Sequence, residues 1–402
     1  MKRKIALTFC TRMAGSVLSM LVGVLVARLL GPAGRGDFFL AVTIIGMVQQ
    51  LGALGLHSSN IYLVAGDKKL YAVLADNSFI ISAFIWLVSA PVLIVVLPFI
   101  FPRVDIFMAA LIVLAVGPSL YYLLMSNLLL GVDRVSAFNV FELLSRTFPL
   151  LFTGILAILL GLDAHYAVFS TVSAVLASAM LLFYYATPSG RPRFNAALFR
   201  SGVNYSIRAY FAAMLGFMLS RAGGVLLGFE GKAVENGNLS VALQLADVMI
   251  MLPATIGLIL FPRLVGDECQ RGKLTLFAAK IVAAFMFVAC IAAYLLADIL
   301  IPLVFGKGFL ESAMVLKCML PGIFALSLIS IISQYLAAHG IPWALIASWA
   351  IGLLLVLGGS WHFMPAYGAK AVAISMSVSY CIVLALLAFL AIRKNFSSKG
   401  LL

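Results

Sequence analysis

The sequence predicts an all-α polytopic membrane protein, with about twelve transmembrane helices in two pseudo-symmetric six-helix bundles around a central cleft. Three observations carry this. Hydrophobic residues make up 64% of the 402 and charged residues only 10%, with a mean hydropathy of +1.15. A soluble domain is nearer half apolar and a quarter charged, so this much apolar surface needs lipid as its solvent. The apolar stretches between charged breaks run to roughly 20–25 residues, the length that crosses a ~30 Å hydrocarbon core as helix. Finally, short segments of the first half recur in the second half in the same order.

Breaks rich in charge, glycine or proline place the spans near 9–30, 38–63, 78–101, 106–130, 138–160, 165–186, 205–229, 239–262, 275–299, 313–338, 342–361 and 370–392. The stretches are solid apolar runs, not the alternating ten-residue segments of a membrane barrel. Met1-Lys2-Arg3-Lys4 imitates a secretory signal. Arg12 interrupts the run, which continues to Leu30 without a small-x-small cleavage site, so it reads as an uncleaved first helix. The eleventh stretch, from Pro342 to Trp361, is the shortest.

Twelve spans return both termini to one side, the cytoplasmic one by the excess of Lys and Arg in its loops. That side receives Lys2, Arg3, Lys4, Lys68, Lys69, Arg134, Arg191, Arg193, Arg200, Arg263, Arg271, Lys273, Arg393, Lys394 and Lys399. The other receives Arg28, Arg35, Arg103, Lys232, Lys307 and Lys370. The same asymmetry accounts for much of the +13 net charge and leaves no reason to invoke nucleic acid. The longest loop, with Pro188, Gly190, Arg191, Pro192 and Arg193, divides the chain into an N-terminal half (1–187), a cytoplasmic linker (188–204) and a C-terminal half (205–402).

The internal echo supports that division. Leu29-Leu30-Gly31-Pro32-Ala33-Gly34-Arg35 matches Leu226-Leu227-Gly228-Phe229-Glu230-Gly231-Lys232. Arg12 and Arg208 lie at nearly the same offset, and Leu63-Val64-Ala65-Gly66-Asp67 resembles Leu264-Val265-Gly266-Asp267. Repeats of an even number of spans insert with the same orientation, related by an axis along the membrane normal.

Inside the spans remain Arg12, Arg146, Arg208, Arg221, Lys280 and Lys317. A charge at a helix centre costs ~2.5–3.5 kcal/mol on insertion scales. Arg12, Arg208, Lys280 and Lys317 lie near helix ends and can also snorkel to the interface. Two pairings compete with a ligand role: Glu142 with Arg146 at i, i+4, and Arg221 with Asp247, which a helical hairpin places at nearly equal depth. The remainder is positive. A cleft lined by Arg12, Arg208, Arg221 and Lys280 suits an anion, above all a phosphate that arginine grips bidentately. His57, Ser58, Ser59 and Asn60 form a polar cluster, open to a cleft role for His57 and Asn60 or to helix packing. The cysteines Cys10, Cys269, Cys290, Cys318 and Cys381 lack ligand spacing, so neither a metal nor another cofactor is expected. The chain carries no P-loop, HExxH or Gly-x-Ser-x-Gly motif, so no catalytic residue is assigned.

The run Ala27-Arg28-Leu29-Leu30-Gly31-Pro32-Ala33-Gly34-Arg35-Gly36-Asp37-Phe38 resembles the end of the first helix in the multidrug/oligosaccharidyl-lipid/polysaccharide exporter superfamily, and within it the Wzx-type polysaccharide (O-antigen) flippases. Gly237 to Ala242, Leu245-Ala246-Asp247, Pro253 and Leu260-Phe261-Pro262-Arg263 resemble that family's eighth helix, with Asp247 where Glu is commoner. Arg221 stands in a region of the seventh helix where an acidic residue is common. The resemblance implies a flippase working by alternating access in the bacterial inner membrane, both termini cytoplasmic. It would move a polyprenyl-diphosphate-linked oligosaccharide to the periplasmic leaflet alongside other polysaccharide assembly proteins. A drug/cation antiporter of the same superfamily and a polytopic polysaccharide polymerase are the alternatives. The antiporter should carry unpaired membrane carboxylates, and the polymerase a large periplasmic loop.

Overall fold

The computed structural model describes residues 2–186, 192–266 and 270–397. The start of the expected linker, 187–191, and Asp267 to Cys269 lie outside the described residues. Among the described residues there are helices and no strands. The α-helices are α1 (Lys2–Gly52), α2 (Leu56–Gly66), α3 (Tyr71–Ile100), α4 (Ile106–Gly131), α5 (Val135–Leu159), α6 (Ala164–Ala186), α7 (Ala196–Phe229), α8 (Ala233–Gly266), α9 (Arg271–Phe305), α10 (Leu310–Ala337) and α11 (Trp343–Ser397). Among the described residues, ten helices are long and apolar enough to span a bilayer. With Phe99 90% and Ile158 85% exposed, the outer surface of these helices is hydrocarbon that only lipid covers. The chain is a multi-pass membrane protein.

The difference between ten observed spans and the twelve expected lies in the two longest. The spans Cys10–Gly52 and Trp343–Lys394 are 43 and 52 residues, more than twice what a bilayer requires. Each runs through a glycine with non-helical backbone, Gly31 (φ 66°) and Gly368 (φ 56°). Both breaks fall between spans that the sequence separates. Pro32 follows Gly31, as a proline starts a helix at no hydrogen-bond cost. Arg35 then donates to the Gly23 carbonyl. Along a straight helix those residues stand roughly 18 Å apart, beyond an arginine's reach, so the chain folds back at Gly31. At the second break the Glu235 carboxylate accepts the Ala369 N–H.

The expected second span is interrupted as well. Leu54 (φ 46°) and Gly55 (φ 74°) turn the chain between α1 and α2, and Tyr210 Oη donates to the Leu51 carbonyl there, 2.9 Å away. Arg35, assigned above to a solvated loop, is buried. The left-handed glycine of the second-half echo is Gly231 (φ 69°), three positions after the residue aligned with Gly31.

The helices form two compact units, residues 1–210 with 228–233 and residues 211–227 with 234–402. In unit 1, α4 is the central element, packed on α1, α2, α3, α5 and α6. Its core is built on Leu74, Tyr121, Met125, Leu128 and Leu182. In unit 2, α10 takes the central place, against α9 and α11. The most apolar windows of α4 and α10 are 61% and 56% buried, and those of α3 and α9 are 17% each. Equivalent helices of the two halves therefore carry the same burial pattern.

Two predictions follow from the breaks and caps. Gly368→Ala should lower the melting temperature more than Gly31→Ala. At both, positive φ with ψ far from the left-handed helix is a conformation that side chains avoid, costing ~1–3 kcal/mol. Only at Gly368 does the added Cβ collide with a neighbour, the Glu235 carboxylate, while nothing lies within 4 Å at Gly31. Thermal unfolding by fluorescence-detected size exclusion ranks them, and equal losses would refute the account. Asp105 caps α4 by accepting the Met108 N–H (2.8 Å). That hydrogen bond, aided by His165, holds its carboxyl below the usual carboxylate range. Its contribution is then present at neutral pH, above the unfolded value, and is lost as pH falls through the folded one. Asp105→Ala should cost about 1 kcal/mol at pH 7, and the gap to wild type should close on acidification.

Candidate functional site

In unit 1, Arg12 is exposed near the start of α1 and has no ion-pair partner among the described residues. One turn on, Gly15 faces α5: a Cβ placed there would lie 3.2 Å from Arg146 Cγ. Residues three apart share a helix face, so Arg146 lies along the side of α1 that carries Arg12. Arg146 Nη2 donates to Glu142 Oε1 at 3.3 Å. Arg12 thus lies one turn of α1 from the point where Arg146 packs on that helix.

Asn139 continues the same face of α5, three residues before Glu142 and seven before Arg146. It is 5% exposed, and both side-chain amide atoms lack a hydrogen-bond partner among the described residues. Tyr122, on α4, brings its hydroxyl into the electrostatic range of Glu142, Arg146 and Ser145. Sequence reasoning missed Asn139 and Tyr122. The i, i+3, i+7 spacing of 139, 142 and 146 was the available signal.

Arg208 is exposed on the first part of α7. His57 and Asn60 sit on α2. Asn60 is buried and donates to Ser78 Oγ (3.1 Å), joining α2 to α3. His57 Nδ1 is buried without a partner among the described residues.

In unit 2, Arg221 Nη2 lies 3.1 Å from Asp247 Oδ2, with the arginine 22% exposed and the aspartate 63%. The α7–α8 pair therefore meets at the depth that helix rise requires, and the buried Tyr380 lies within its electrostatic range. Lys317, read above as a cation left over within the bilayer, reaches Asp298 Oδ2 at 2.5 Å and lies 5.0 Å from the Tyr294 ring centroid. The residues flanking the α9–α10 turn meet as those flanking the α7–α8 turn do. Lys280 is exposed on α9 without an ion-pair partner among the described residues. The intramembrane carboxylates Glu142 and Asp247 are each held by an arginine. Arg12 and Lys280 retain uncompensated charge.

The fold has known counterparts. A lipid II flippase, MurJ, in an inward closed conformation superimposes with a TM-score of 0.78 at 15% identity, over 96% of this chain and 87% of that one. An inward-facing MATE-family multidrug resistance transporter of the MOP superfamily matches with 0.73 at 13% identity, over 95% of each chain. The Vibrio cholerae MATE transporter VcmN in its bent form matches with 0.63 at 15% identity, over 99% and 97%. No curated protein sequence is significantly similar to the chain. These likenesses give the fold, that of the exporter superfamily whose motifs the sequence resembles. The profile of the family described as polysaccharide biosynthesis protein matches residues 25–314. With most of its length matched, the chain belongs to the polysaccharide biosynthesis protein family.

Proposed function

We propose that the chain is a flippase for surface polysaccharide synthesis. It carries a polyprenyl-diphosphate-linked oligosaccharide from the cytoplasmic to the periplasmic leaflet of a bacterial inner membrane by alternating access, with both termini cytoplasmic. The observation that carries this reading is the sign of the charge left inside the spans. Membership of a polysaccharide biosynthesis family on a transporter fold supports a polysaccharide intermediate as cargo. Such an intermediate crosses the membrane on a lipid, and its head is anionic. Arg12 beside Arg146 in unit 1, and Lys280 in unit 2, offer positive charge where low dielectric strengthens each contact. Arg208 and Arg221 complete the proposed head-group set. Arginine holds two phosphate oxygens at once, which suits a diphosphate better than a lysine point charge does.

A drug/cation antiporter on this fold needs a carboxylate free to take the cation. Glu142 and Asp247 are each committed to an arginine at 3.3 and 3.1 Å, which counts against that reading.

Proteoliposomes holding a labelled polyprenyl-diphosphate sugar test the proposal directly. Arg12→Ala with Arg208→Ala should slow flipping by about tenfold or more, the worth of one or two lost charge-assisted hydrogen bonds. Unchanged flipping would remove both residues from the mechanism. The Arg221–Asp247 pair is separable by charge reversal. Arg221→Asp alone should reduce thermal stability, and adding Asp247→Arg should restore it. If stability returns while transport does not, Arg221 meets the head group as well as its partner. If transport returns too, the pair is purely a clamp.

A further inference from the structure

A groove of about 290 Å³ opens on unit 1 between α3, α4 and α6. Its walls are almost wholly apolar, with Phe79, Trp86, Tyr121, Met180 and Phe183 around a floor at Gly117. Trp86 can close onto α4 because residue 117 has no side chain: a Cβ there would meet Trp86 Cγ at 2.7 Å. Trp86 is fixed over it by donating Nε1–H to the Val113 carbonyl (2.8 Å). Phe79, Tyr121 and Phe183 form one aromatic wall, with ring centroids 5.8–6.1 Å apart. The rim faces outward, since Met180 is 59% exposed and Phe84 and Leu87 beside it on α3 are 64% and 74%. The groove is thus continuous with the lipid-facing surface.

The same three helices end in a polar collar. Tyr71 Oη donates to the Ala186 carbonyl at the close of α6 (2.5 Å). The exposed Arg134 guanidinium sits 5.9 Å from the Tyr71 ring centroid. Lys68 and Lys69 are exposed just before Tyr71. Two of the carboxylates here turn to backbone N–H groups, Asp67 to Lys69 (2.9 Å) and Asp76 to Arg193 (3.2 Å). Tyr184 and Tyr185 are exposed at the same end, the aromatic arrangement found at head-group level. By helix rise, Phe79 lies ~12 Å and Trp86 ~22 Å beyond Tyr71. The collar and groove together therefore match one leaflet, roughly half of the 40–45 Å bilayer.

We propose that this is a binding site for an anionic phospholipid of the surrounding leaflet, with one acyl chain in the groove and the phosphate on Arg134 and Lys69. Charge at the collar selects the head, and continuity with the lipid-facing surface makes the leaflet the source. The site stands apart from the transport residues and holds whether or not the flippase reading does.

The test uses the full chain in phosphatidylcholine nanodiscs with phosphatidylglycerol bearing a diazirine at one acyl terminus. Photolabel should concentrate on residues 83–87 and 173–177, the deep end of the groove, and exceed that from the same chain carried by phosphatidylcholine. Ala83→Trp, which fills the groove from its exposed rim, should cut labelling about tenfold, as expected for losing a buried apolar contact. Arg134→Gln lies outside the packed core and tests the head separately. It should cut phosphatidylglycerol labelling about fivefold and leave phosphatidylcholine labelling unchanged. Equal labelling from the two head groups, label spread evenly over the outward helices, or no effect of Arg134→Gln would overturn the site. Displacement by undecaprenyl phosphate far below the concentration at which phosphatidylglycerol competes would assign the groove to the carrier lipid and overturn the proposal as well.

Discussion

Hydrocarbon offers no hydrogen bonds, so each backbone N–H and C=O that enters the membrane must be satisfied by the chain itself. Regular helix meets that demand automatically. At several breaks a side chain bonds to the backbone. Arg35 donates to the Gly23 carbonyl near the Gly31 break, and Glu235 accepts from Ala369 at Gly368. Tyr210 serves Leu51 at the turn before α2. Two prolines have such side-chain donors close by. Pro118 and Pro321 leave the carbonyls of Leu114 and Lys317 without their helical donors. One residue away in each case, Trp86 donates to Val113 and Ser377 to Cys318. Many of the polar side chains are thus explained by backbone accounting before any function is asked of them.

That accounting separates what the sequence reveals from what it hides. Span length and the i, i+4 placement of Glu142 and Arg146 are local, and both are legible. The Arg221–Asp247 contact follows from counting residues outward from a turn. The same count about Gly306 and Lys307 places Asp298 and Lys317 at matching depth, so that pair was equally within reach. Arg35 was read as a loop charge because the rule for basic loops ignores depth; burial against a broken helix overrode it. The hydrogen bond between Glu235 and Ala369 joins residues 134 apart, and no local pattern announces it. Nor does periodicity reveal the groove on unit 1, which depends on where Trp86 of another helix comes to rest over Gly117.

The repeat is more visible in burial than in residues. The glycine turns of the two halves are out of register by three positions. Yet α4 and α10 are both enclosed by their neighbours, and α3 and α9 both face outward. Packing tolerates many apolar identities at a given depth, whereas a turn depends on one residue in one conformation. Two halves of one bundle can differ at their turns while keeping the order of their layers.

The two glycine breaks differ in how soon each can close during synthesis. The first carries its own donor: Arg35 follows Gly23 by twelve residues, and the hairpin can settle as soon as that segment leaves the ribosome. The second waits for Gly368 to emerge, but its acceptor on α8 has by then long been made. A chain built from its N-terminus therefore folds its first hairpin unaided and its last against a template already standing in the membrane. Biogenesis should tolerate truncation after α6 far better than removal of α8.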